Sequence, residues 1–184
     1  MKLNLNSVFF SLALFFNTFL IAQNNLNILE SSLEWKGEKI TGSSHNGSLQ
    51  FQAGNVIVKD GDIKSGSFTV DMTSLECDDL SGKSKTNLEG HLKSDDFFSV
   101  NKFKTASLVI TSIESTTAKG FLTIKDITHP INFTLIKTNS GFIAALTFNR
   151  SKYDVKYSSG SFYENLGDKL ILDDIKISAT IKIK

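Results

Sequence analysis

Ile175, Lys176, Ile177, Ser178, Ala179, Thr180, Ile181, Lys182, Ile183 and Lys184 alternate apolar with polar at every step. Only an extended strand with one buried face requires a period of two, because successive side chains point to opposite sides. The stretch 67–73 repeats the pattern, with Phe68, Val70 and Met72 set against Ser67, Thr69, Asp71 and Thr73. Further strands are expected over 33–36, 48–52, 55–59, 106–113, 120–125, 131–137 and 142–149. Asp60 with Gly61, Asn139 to Gly141, and Asn46 with Gly47 carry turn chemistry between several of them. Helical signals are confined to short turns around 94–100 and 162–166. The expected fold class is therefore all-β, a sandwich or a closed barrel, closure having the merit of removing exposed edges. A barrel of about eight strands leaves an interior that side chains fill or that one small ligand occupies, and the pattern leaves both open.

Residues 1–22 read as a secretory signal peptide. Lys2 precedes an apolar run from Val8 to Ala22 that is short for a membrane span and is interrupted by Asn17. Cleavage is expected after Ala22, so that 23–184 forms one domain with no stable transmembrane anchor, destined for the periplasm or secretion; an uncleaved anchor is the alternative. No Cys lies near that junction to accept a lipid. Five of the 15 Phe (Phe9, Phe10, Phe15, Phe16, Phe19) leave with the signal and ten remain to line a core or a pocket. Removing Lys2 leaves 19 basic residues against 19 acidic ones, and this neutrality argues against nucleic acid as a partner.

Cys77 is the only cysteine, so no internal disulfide can form and the exported domain must rely on burial and backbone hydrogen bonds. Beside Asp78 and Asp79 its thiolate is disfavoured, which fits a small half-buried filler better than a reactive thiol. The three histidines, His45, His91 and His129, lack metal-ligand spacing, so neither a metal site nor a cofactor is expected. His129, before Pro130, is read as an exposed turn residue.

Longer motifs carry a resemblance. Gly90, His91, Leu92, Lys93, Ser94, Asp95, Asp96, Phe97 and Phe98 set a polar cluster against two aromatics and resemble the "GHLKSxDFF" stretch of the YceI family. Trp35, Gly37 and Lys39, then Gly42, His45 and Gly47, are similar to its "WxGxK…GxHxG" opening. Gly66, Phe68, Val70, Asp71, Met72, Ser74, Leu75, Asp79 and Leu80 resemble "GxFxVDMxSLxxxDL". Gly120, Leu122, Thr123, Ile124, Lys125 and Pro130 follow "GxLTIKGxTKP", and the tract from Arg150 to Asp174 closes the match. The resemblance spans the mature chain in order. Its departures are an extra serine in Ser43 and Ser44 before His45, which calls for a bulge or a displaced His45, Asn149 for Asp before Arg150, Asp126 and Ser158 for Gly, and His129 for Lys. The Asn149 change replaces any ion pair with Arg150 by a neutral hydrogen bond.

The resemblance implies a lipocalin-like extended antiparallel barrel, a polyisoprenoid-binding protein of the bacterial envelope. The partner it implies is an isoprenoid lipid such as a polyprenol, a polyprenyl phosphate or a quinone, bound without chemistry, and a homodimer is among the states it allows. Phe51, Phe68, Val70, Met72, Phe133 and Phe148 lie on the apolar phase of their strands and are either lining or ordinary core. Phe97 and Phe98 are expected to plug or gate the interior from a loop or short turn. For a head group at the mouth the expected contacts are His45, His91, Arg150, Tyr153, Tyr157 and Phe162, with 160–168 as a lid. Each has a structural alternative; Arg150 in particular can instead tie loops to the barrel. Asp173 and Asp174 are read as turn residues. Two other functions stand beside the carrier. One is an enzyme using His45, His91 and nearby carboxylates, against which the chain shows no GxSxG elbow, phosphate loop or dinucleotide fingerprint. The other is a packed barrel that acts through a protein partner.

Overall fold

The computed structural model of the chain describes residues 22–184, so the signal peptide reading falls outside the described residues except at Ala22. The elements are β1 (Ala22–Asn25), β2 (Ser32–Glu38), β3 (Ser44–Lys59), β4 (Asp62–Cys77), α1 (Gly82–Lys93), β5 (Thr105–Glu114), β6 (Thr117–Ile124), β7 (Ile127–Thr138), β8 (Gly141–Asn149) and β9 (Asp174–Ile181). Two single-turn 3-10 helices, Arg150–Tyr153 and Gly167–Lys169, lie between β8 and β9. The strands follow the order β1-β3-β2-β9-β8-β7-β6-β5-β4, and pairing of β4 back onto β3 closes a ring of eight, β2 to β9. Every pairing is antiparallel. β1 extends the edge that β2 leaves free, meeting β3 at Asn55 to Val58 while β2 meets it at Ser44 to Leu49.

Because the strands alternate in direction, the connections fall at two ends. One end carries the β3–β4, β5–β6 and β7–β8 hairpins. The other carries the β2–β3 and β6–β7 turns and the two long connections, 78–104 with α1 and 150–173. The alternation that decides the fold is seen directly in β8, where Phe142, Ala144, Leu146 and Phe148 are buried and Ile143, Ala145 and Thr147 are exposed. Short turns use left-handed backbone where it is needed: Asp60 with Gly61 joins β3 to β4, and Lys125 with Asp126 joins β6 to β7. Asp tolerates positive φ better than most residues, so Asp126 serves where relatives of the pattern place Gly.

Four expectations about elements are corrected. Asn46 and Gly47 do not turn; they sit inside β3, paired with Lys36 and Trp35, so 48–52 and 55–59 belong to one 16-residue strand. Gly47 is needed there for close approach rather than for a bend, because a Cβ would strike the Glu76 carbonyl of β4. The extra serine makes no bulge at His45. It is absorbed in the β2–β3 turn, where the Lys39 N–H donates to the Ser43 carbonyl, and Gly37 pairs with His45 in plain register.

The expected short turn at 94–100 is present, but it follows a true helix, α1, that the sequence reading did not expect. Its only apolar side chains are Leu88 and Leu92, four apart on one face, too few for a periodic signal. Glu89 on this helix accepts the Cys77 N–H at 2.9 Å, which ties α1 to the end of β4. Last, His129 is in β7 rather than a turn, half-buried, with Nε2 3.0 Å from the Lys152 carbonyl. β7 pairs with β8 only from Thr134 to Thr138, so Pro130 lies where no neighbour on that side needs its missing N–H.

Candidate functional site: an apolar cavity in the barrel

The inward side chains of the strands do not fill the barrel. They surround a cavity of about 380 Å³, within the range of small-ligand sites. Phe51 of β3 and Phe68, Val70 and Met72 of β4 line one wall, and Phe133 of β7 and Phe148 of β8 line another. All the strand residues expected to line an interior therefore do so. Sequence reading favoured the aromatics and passed over an aliphatic majority, including Leu33, Leu108, Leu122, Leu146 and Ile177. The alternation of β8 and β9 carried that signal, since lining residues Ala144 and Leu146, and Ile175, Ile177 and Ala179, hold the apolar phase.

The helix and the turn after it roof one end. Leu88, His91 and Leu92 face the cavity from α1, and Phe97 and Phe98 face it from the following turn. That turn is held by the Phe98 N–H on the Leu92 carbonyl at 3.1 Å and the Val100 N–H on the Lys93 carbonyl at 2.9 Å, with Ser99 at positive φ. Phe97 and Phe98 meet edge to face, 5.1 Å between centroids. His91 packs edge-on against Tyr157 (4.3 Å) and Phe97 (5.7 Å), and its Nε2 is buried with no hydrogen-bond partner. In a wall this apolar, an unpaired ring nitrogen is a vacant hydrogen-bonding position. The cavity's polar rim is the β2–β3 hairpin, with Glu38, Lys39, Ser43, Ser44 and His45, faced by Tyr157. His45 is turned toward Asp79, Nδ1 to Oδ2 2.8 Å.

Arg150, Tyr153 and Phe162 stand outside this lining, which corrects their expected place at the mouth. Arg150 is fully buried; its Nε, Nη1 and Nη2 donate to the carbonyls of Leu172, Val155 and Ile171, and Nη2 lies 3.2 Å from the Asp173 carboxylate. Burial lowers its pKa from the ordinary arginine value and the Asp173 charge opposes that. All of this makes Arg150 the tie between the long β8–β9 connection and the barrel, with its guanidinium stacked 5.2 Å from the centre of the Phe97 ring. Asp173 is thus more than a turn residue, since it also accepts from Ser159 Oγ (2.9 Å) and Ser161 Oγ (2.6 Å). Asn149 does not bond Arg150 at all. Its side chain caps the 3-10 turn by accepting from Ser151 N–H at 2.9 Å. Tyr153 is buried against Phe148 and His129, and burial raises its phenol pKa. Phe162 is 44 % exposed under Lys156, and no residue from 160 to 168 lines the cavity.

A closed eight-stranded antiparallel barrel, hollow and apolar, roofed by a helix and an Arg-anchored loop, agrees with what sequence comparison finds. The model of the YceI-like domain matches residues 25–183. The chain belongs to the YceI-like family. Among YceI-like relatives, UPF0312 proteins from Staphylococcus aureus strains USA300 and COL are 28% identical over 162 residues, covering 82% of this chain and 90% of theirs. Burkholderia cenocepacia BcnA is similar in structure, with a TM-score of 0.65 and 16% identity over 86% of this chain and 99% of that one. A polyisoprenoid binding domain from Saccharophagus degradans, implicated in plant cell wall breakdown, gives a TM-score of 0.60 at 10% identity, covering 89% of this chain and 98% of its own. These two likenesses show the same barrel fold. No helix among the described residues is long and apolar enough to cross a membrane.

Proposed function

We propose that this protein is an exported carrier, periplasmic or secreted, that holds an isoprenoid lipid in the barrel without changing it chemically. The observation that carries the reading is the apolar cavity of about 380 Å³ enclosed by the strands. Binding an apolar chain there needs shape and dry walls more than polar contacts. The chain would lie against Phe51, Phe68, Val70, Met72, Phe133 and Phe148, and Phe97 with Phe98 would close over it. A hydroxyl, carbonyl or phosphate head would meet the rim at His45 and Tyr157 or the unpaired Nε2 of His91. The isoprenoid class is carried over from the Saccharophagus degradans domain. Signal cleavage after Ala22 and assembly into a homodimer belong to the same proposal.

Organic extraction of the purified protein from its native host and from a heterologous one, followed by mass spectrometry, tests it. A stoichiometric isoprenoid is expected. Recovery of no apolar compound from either host would overturn the reading.

A further inference from the structure

One residue of β3, the last residue of β4 and one just beyond it bring an imidazole, a thiol and a carboxylate together beside the rim, of which only His45 borders the cavity. His45 Nδ1 lies 2.8 Å from Asp79 Oδ2, and Cys77 Sγ lies 3.2 Å from Asp79 Oδ1. The three donor atoms all lie within 4.8 Å of one another. We propose that His45, Cys77 and Asp79 bind a thiophilic divalent cation of the Zn²⁺ type, a site that shares His45 with the cavity rim.

The ligand set is the first reason. Thiolate, imidazole and carboxylate are the zinc donors, and at bond lengths of about 2.0–2.3 Å neighbouring donors of a tetrahedron stand roughly 3.3–3.7 Å apart. The His–Asp and Cys–Asp separations, made to the two different oxygens of Asp79, would open by up to about 0.5 Å, and the Cys–His separation, no more than 4.8 Å, would adjust onto the ion. The second reason is that the donors are carried by paired backbone. Gly47 is opposite Cys77 in the β3–β4 ladder, His45 is two residues along the same inward phase, and the Asp78 N–H continues the pairing onto the Asn46 carbonyl at 2.9 Å. The Asn46 N–H donates to Asp79 Oδ1 at 3.0 Å, and Glu89 of α1 accepts the Cys77 N–H, so both ends of the set have supporting hydrogen bonds of the kind that orient metal ligands. The third is access. Cys77 is buried, yet the side chains of His45 and Asp79 are 40% and 29% exposed, which opens one side of the cluster to water.

Binding balances without redox change. The Cys77 thiol releases its proton to solvent, the proton that His45 Nδ1 donates to Asp79 is exchanged through water onto Nε2, and the cation bonds Sγ, the freed Nδ1 and one carboxylate oxygen, with water in the fourth position. Thiolate and carboxylate together cancel the charge of the cation. His45 and Cys77 are 32 residues apart with no spacing motif between them, so only the barrel reveals the set.

The test is titration of the metal-free, tag-free protein with Co²⁺ and then Zn²⁺. One equivalent of Co²⁺ is expected to give a near-ultraviolet thiolate-to-cobalt charge-transfer band with visible bands of tetrahedral intensity, both displaced by Zn²⁺. Cys77→Ser should remove the charge-transfer band, and His45→Gln should weaken Zn²⁺ binding at least tenfold, while His129→Gln changes neither. Circular dichroism reports whether each variant is folded, and His45→Gln, at the more exposed position, decides the matter should Cys77→Ser unfold. Absence of the band at stoichiometric Co²⁺, or Zn²⁺ affinity unchanged in His45→Gln, would overturn the proposal.

Discussion

At the hairpin end of the barrel Val56, Ile63, Ala118, Leu135 and Phe142 are buried and none of them lines the cavity; at the opposite end the inward residues of the same strands, such as Val70, Met72, Leu122 and Phe148, border open space. The hairpin end has short turns, and apart from Leu26 in the 26–31 connection the buried side chains there come from the strands. The other end is roofed from outside the sheet, by Leu92, Phe97 and Phe98 and by the loop that Arg150 anchors. Where a roof is provided by connections, the strands beneath it need not fill the interior. A hollow therefore forms at the end with long connections, beneath a roof held in part by one buried cation.

That contrast can be broken most severely at its anchor. Arg150→Ala strands the Asp173 carboxylate and three carbonyls, and should cost about 3–5 kcal/mol in urea unfolding. At the packed end, Phe142→Ala opens a void in close-packed surroundings and should cost about 3–4 kcal/mol by the same measurement. Met72→Ala, beside space that already exists, should lose only its transfer term, about 1–2 kcal/mol. Equal costs for these two would mean that the ends are packed alike.

A milder effect is expected from acid. Burial raises the Asp79 carboxyl, but hydrogen bonds from the Asn46 N–H, His45 and the Cys77 thiol outweigh it and take the carboxyl down to about 2. A carboxyl with a lowered folded-state pKa stabilises above its unfolded value and loses that contribution as pH falls from about 4 towards 2. Asp79→Asn should therefore flatten stability against pH in that window, by on the order of 1 kcal/mol after solvent screening. The smallest change in stability, and the most telling for function, is expected from Ala144→Phe, which points a ring into the cavity. In a packed core such overpacking costs roughly 1–3 kcal/mol; here the melting temperature should hold while co-purifying lipid drops at least tenfold.

The wall of the cavity was legible because strand phase is written locally. Phe68, Val70 and Met72 face inward for the same reason that Ser67 and Thr69 do not, and the eight expected lining residues reach the cavity from strands or from the turn after α1. The mouth was not legible in the same way. Arg150, Tyr153 and Phe162 follow no period, and an arginine surrounded by carbonyls contributed from residues 155, 171 and 172 looks, in sequence, like one that awaits an anion. The helix α1 was hidden because Gly82, Gly90 and a run of polar residues leave two leucines to mark its buried face. Asn46 and Gly47 misled because Asn-Gly is turn chemistry, whereas here the missing Cβ serves the approach of β4.

By itself the sequence determined that the chain forms strands with one buried face, because a period of two is enforced residue by residue. Whether the buried faces meet or enclose a space was decided only when eight strands closed, since that depends on the summed volume of side chains from all of them. The same closure brought His45 to Asp79 and Arg150 to Asp173. Contacts between side chains on different strands or connections leave no periodic trace in the chain, and only tertiary structure can specify them.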